Sequence, residues 1–174
     1  MVTLNDKLPK LVHYVVARTR PSELGATKLN KVLWFADLTH YRRYGHTMSG
    51  AGSYQKLQHG PVPNEIVHTV RLLKDAGRIG IRYSDTPAGQ RREFVWLEQP
   101  SLDAFEAEEI DVLNEAIDWV CGNHSAASIS ALTHDALWQE IELADQIPVG
   151  AAAIVSEDVS EDDIEWAASI VNAN

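Results

Sequence analysis

No lysine or arginine follows Arg92 in this chain of 174 residues. Residues 1–98 hold all 15 basic side chains and 8 of the 25 acidic ones, a net charge of +7. Residues 99–174 hold the other 17 acidic side chains. The overall charge of −10 hides this split. Such asymmetry points to a partner of opposite sign, to two halves that pack on each other, or to two copies paired head to tail. Cysteine is nearly missing as well. Cys121 stands alone, which excludes an intrachain disulfide and makes the cytoplasm the expected compartment. Apolar runs are short. Val32-Leu33-Trp34-Phe35-Ala36 is far below the ~20 residues that a membrane helix needs, so no membrane partner is expected. The opening MVTLNDKLPK lacks the charged-then-apolar layout of a signal peptide.

Catalytic signatures are wanting too. There is no G-x-S-x-G, no P-loop and no dinucleotide fingerprint. His40 and His46 are six apart, and His59 and His68 flank a proline-rich corner. None has the i, i+4 or His/Cys spacing of a zinc site. Cys121 reads as the end of a helix, where the negative end of the dipole raises a thiol's pKa. Glu106, Glu108, Glu109 and Asp111 read as a solvated helix face, not as buried catalytic carboxylates. The expectation is a protein that is not an enzyme, with no cofactor and no metal.

What is present is an ordinary globular composition, 45% apolar, enough for a substantial core. Leu8, Leu11, Val12, Val15 and Val16 carry the spacing of an amphipathic helix over 8–18. A second helix is predicted over 28–44, with Thr27 as N-cap and Gly45 just past its end. Apolar side chains cover more than one face of it, which makes it the central helix. The segment 45–60 reads as polar loop leading to a stiff corner, His59-Gly60-Pro61-Val62-Pro63. A third helix is predicted over 62–76, closed by Gly77, with proline in its first turn where no donor is needed. Ile79–Tyr83 and Glu93–Leu97 read as two short strands of a loose hairpin. The acidic half reads as helical: 107–120, then a short helix capped by Ser125 through Leu132, then turns over 134–141. Pro148-Val149-Gly150 ends that region, and a C-terminal extension over 158–172 follows. The fold class is therefore mainly α with a small antiparallel β-hairpin, a single domain over 1–174 around the helix 28–44.

Lys28-Leu29-Asn30-Lys31-Val32-Leu33-Trp34-Phe35-Ala36-Asp37, then His40, Tyr44-Gly45, Tyr54 and Gly60-Pro61-Val62-Pro63, resembles the Panacea domain. This SocA-like family was formerly known only as a phage-associated domain of unknown function. Ser125-Ala126, Thr133-His134 and Trp138 are similar to its second block, so the likeness runs over about 28–138. The resemblance implies an antitoxin of a toxin–antitoxin system that neutralises a cognate toxin by protein–protein contact. A bacterial protease is a further partner that the resemblance implies, through an adaptor role. Some relatives carry an added DNA-binding domain, and this sequence departs from them there, which puts autoregulation of its operon in doubt. The partner-binding residues read from these segments and from the charge split are Lys28, Lys31, Tyr54, Gly60, Pro61, Val62, Pro63, Arg91 and Arg92. A prolyl corner has little freedom to lose on docking; the plainer reading is that it only orients a helix.

The alternative is a winged-helix-like DNA-binding regulator. Arg71, Lys74, Arg78, Arg82, Arg91 and Arg92 lie on the predicted helix and hairpin, where phosphate contacts would be made. The carboxylates of the second half argue against DNA, because they repel it over about a Debye length. Pairing of these arginines with the acidic half, or with a second copy in a homodimer, is the plainer reading.

Overall fold

The computed structural model describes residues 1–87 and 89–155. The predicted extension over 158–172 lies outside the described residues. The fold is mainly helical with two small antiparallel sheets.

The central element is α2 (Ala26–Tyr44). Leu29, Val32, Leu33, Trp34, Ala36 and Leu38 are all buried, and so are Lys31, Asp37 and His40. Burial on several faces follows from its neighbours: α1 (Lys7–Arg18), α4 (Ala107–Ile117), α5 (Ala126–Leu132) and α7 (Val149–Val155) all pack on it. The expected Gly45 stop is present. Its φ is +77° and its N–H donates to the Tyr41 carbonyl at 2.8 Å, as a left-handed helix cap does. The N-cap is Gly25, not Thr27, and the helix starts two residues earlier than its pattern suggests.

The helix expected over 62–76 is α3 (Ile66–Asp75). The corner before it belongs to a strand instead. β1 (Ser53–Leu57) pairs antiparallel with β2 (Gly60–Val62), setting Lys56 opposite Pro61 and Gln55 opposite Val62. A residue that precedes proline is pushed out of the helical region. Gly60 precedes Pro61 and Val62 precedes Pro63, so two successive restraints favour extended chain. The helix begins only after Ile66 N–H finds the Pro63 carbonyl at 3.2 Å. A third strand, β5 (Gln146–Pro148), pairs with the other edge of β1. Pro148 therefore does not end a helical region; it closes a strand that leads straight into α7.

The hairpin is tighter than expected. β3 (Ile79–Thr86) and β4 (Gly89–Trp96) pair in register from Ile79↔Trp96 to Thr86↔Gly89. Gly89 takes φ +109°, and the Thr86 hydroxyl donates to its carbonyl at 2.6 Å. The acidic half follows the predicted pattern. Leu113, Ile117 and Val120 are buried, with a π-helical turn over Asp118–Gly122. Ser125 caps α5 through the Ser128 N–H. α6 (Ala136–Glu140) then carries Trp138 back to the corner.

Candidate functional site

The corner rests on a buried lysine. Lys31, on the second turn of α2, is 1% exposed. Its Nζ donates to the His59 carbonyl at 2.5 Å and to the Thr133 hydroxyl at 2.9 Å. Burial lowers its pKa from 10.5 to about 7, because desolvation disfavours the charged amine. Gly60 sits against it with φ +110°. A β-carbon there would meet Thr133 Oγ1 at 2.4 Å as well as the amine. Glycine is thus required twice, for its φ and for the close approach of the backbone. Pro61 and Pro63 are buried as well.

A second lysine holds the same corner from the strand side. Lys56 Nζ donates to the carbonyls of Trp138 and Ile141, each at 2.6 Å. It also lies 3.8 Å from the centroid of the Trp138 ring, a cation–π contact. Trp138 in turn stacks on His134, with centroids 3.7 Å apart and planes 13° from parallel. Burial lowers the His134 pKa, and the charges of Lys31, Lys56 and His59 add to the effect. The two separated blocks of the chain, 28–63 and 125–138, meet here: Thr133 on Lys31, Trp138 on Lys56.

Tyr54 lies inside the fold. It is fully buried and meets the Trp34 ring edge-on at 5.0 Å. Its hydroxyl donates to Asp37 at 2.7 Å. Ser49 gives the same carboxylate its N–H at 2.9 Å and its hydroxyl. Burial raises the Asp37 pKa, and these hydrogen bonds work against the rise. The network ties α2 to the loop before β1.

Two grooves of about 490 Å³ each flank the first turn of α2, and Ala26 and Thr27 wall both. The corner groove is apolar, lined by Leu57, Pro61, Val62 and Leu143 with Lys31 at its floor. Leu57 is 38% exposed and Leu143 65%. The other groove is lined by Lys28, Arg91 and Arg92, with Glu23 as its carboxylate. Arg91 Nη2 donates to Glu93 at 2.5 Å, and Arg82 Nε to the same carboxylate at 2.7 Å. Arg91, then Ser84, then Arg82 hold the Glu93 pKa down at about 2. The Arg92 guanidinium lies over Phe94 at 5.1 Å. Of the candidate residues, Lys31, Tyr54, Gly60, Pro61 and Pro63 are buried, while Lys28, Val62, Arg91 and Arg92 keep accessible surface.

The family model described as antitoxin SocA-like, Panacea domain, matches residues 29–139. The chain belongs to this family. No curated protein and no solved structure matches it. The Panacea match takes in the Lys31–Gly60–Thr133 contact and the Lys56–Trp138 stack. It leaves Lys28, Leu143, β5 and α7 outside.

Sequence reasoning missed Lys56, Thr133 as a partner of Lys31, and Leu143. Leu57 carried a signal that went unread: after Tyr54 and Lys56 turn inward, alternation puts it outward. In this Panacea protein Arg78, between α3 and β3, pairs with Glu98, and Arg82 and Arg91 of the hairpin pair with Glu93. The charge halves meet elsewhere, at Lys7–Glu109 (2.6 Å) and Arg43–Glu115 (2.7 Å). Burial raises the Cys121 pKa, and the charge of Lys28 works against the rise. Among the described residues no group of three or more His, Cys, Asp or Glu could hold a metal ion. No helix among them is long and apolar enough to cross a membrane.

Proposed function

We propose that this Panacea-domain protein is an antitoxin that neutralises a cognate toxin by direct contact, without catalysing a reaction. The family match supports an antitoxin. The observation that carries the contact is the corner groove, where exposed Leu57 and Leu143 stand on a floor locked by Lys31 and Gly60. Apolar side chains on a stiff support are what a protein partner uses best, since burial stabilises the complex and little ordering entropy is lost. In this reading the prolines keep the floor in shape and touch the toxin little. The residues to contact it are Leu57, Val62 and Leu143.

The test is co-expression with the neighbouring reading frame, if that frame is lethal alone. Leu57→Asp with Leu143→Asp should abolish rescue and binding while the urea midpoint stays near that of the parent. Full rescue by the double variant would show that the toxin docks elsewhere. Delivery to a bacterial protease is the second mode, and rescue that fails only in a protease-deficient host would point to it.

A further inference from the structure

The basic groove holds one carboxylate, Glu23, which pairs with Arg20 at 3.7 Å. Nε of Arg91 and Nε of Arg92 are both buried without an acceptor among the described residues. Arg91 has Glu93, but among the described residues neither Lys28 nor Arg92 has a carboxylate partner. Among the described residues Lys28 reaches the Cys121 carbonyl, at 3.5 Å. The first turn of α2 opens into the same groove, and its N-cap glycine supplies no side-chain acceptor. The uncapped N–H groups and the positive end of a 19-residue helix add to the three cations. These donors call for a ligand rich in carboxylates.

The chain itself carries such a segment. Residues 156–174 read SEDVSEDDIEWAASIVNAN. Glu157, Asp158, Glu161, Asp162, Asp163 and Glu165 lie close together there, no basic side chain is among them, and Trp166 follows. The segment continues from α7, which packs on α2 near its C-terminal end: Arg42 Nε donates to the Ala153 carbonyl at 3.1 Å. From that end of α2 to its first turn is roughly 27 Å at the helical rise. An extended chain covers this in about eight or nine residues. Counted from Val155, where α7 ends, that length of chain brings Asp163 and Glu165 within range of the basic groove.

We propose that the acidic segment 156–174 docks on the first turn of α2 within the same chain, with the carboxylates of Asp163 and Glu165 at Lys28, Arg91 and Arg92. Both partners belong to this protein, so the test needs no toxin. A zero-length carbodiimide joins an amine to a carboxylate in contact with it. Applied to the full chain, it should link Lys28 to Asp163 or Glu165, and added salt should suppress the link. A mixture of isotope-labelled and unlabelled chains shows whether the link lies within one copy. Lys28 makes one long hydrogen bond, so Lys28→Glu should fold. It should make the segment several-fold more sensitive to a glutamate-specific protease, and Asp163→Lys in the same chain should restore protection. A link found only between copies, no link at Lys28, or protease sensitivity unmoved by Lys28→Glu would overturn the docking.

Discussion

The Nζ of Lys31 stands 1.9 Å from where a β-carbon on Gly60 would lie. Backbone and amine are that close because both need the same space. The lysine must reach the His59 carbonyl, and the chain must turn at residue 60 to place Pro61 opposite Lys56. Gly60→Ala should therefore cost about 2–5 kcal/mol, combining overpacking with a strained positive φ. Urea midpoints measure it. Lys31→Met, which ends one atom short of the amine, should recover part of the loss in the double variant and leave the φ strain. Strict additivity of the two single changes would show that the contact is unimportant.

Lys31 also gives the fold a pH dependence. Its amine titrates near 7 when folded, against a reference value of 10.5. Between these values the unfolded chain binds more protons, so this group makes stability rise with pH. The parent protein should gain stability from about pH 7 towards 10.5 relative to Lys31→Met. Parallel stability–pH curves for the two proteins would refute this.

Glu93 acts in the opposite range. Its side chain is 2% exposed and its pKa is held at about 2, below the reference 4.5, first by Arg91. A depressed carboxylate contributes stability above its unfolded pKa and loses it as pH falls through the folded one. Stability should thus decline between about 4.5 and 2, and Glu93→Gln should flatten that limb. Denaturation at a series of acid pH values is the measurement, and an unchanged limb would place the acid-sensitive group elsewhere.

Leu33 is 1% exposed on the central helix. Leu33→Ala should cost about 2–5 kcal/mol, the range for emptying a packed leucine site. A midpoint that barely moves would mean that α2 is not the centre of the core.

Local patterns were readable because they depend on neighbours a few residues away. The spacing of Leu11, Val12, Val15 and Val16, the Gly45 stop and the Ser125 cap all match the structure. The restraint that each proline sets on the residue before it was also written in Gly60-Pro61-Val62-Pro63. A rule that admits proline to a helix's first turn competed with it, and the strand won because β1 lay alongside.

The sequence by itself determined the helical elements, the family segments and the separation of charge along the chain. Tertiary structure decided which of those residues are available to a partner. Tyr54, Pro61 and Pro63 went inside, Leu57 and Leu143 stayed out, and Thr133 came to Lys31 across 102 positions. Periodicity reports one face of one element, whereas burial of a lysine or pairing of β1 with β5 depends on contacts between segments far apart in sequence. Such contacts form only when the packed core brings their backbones together.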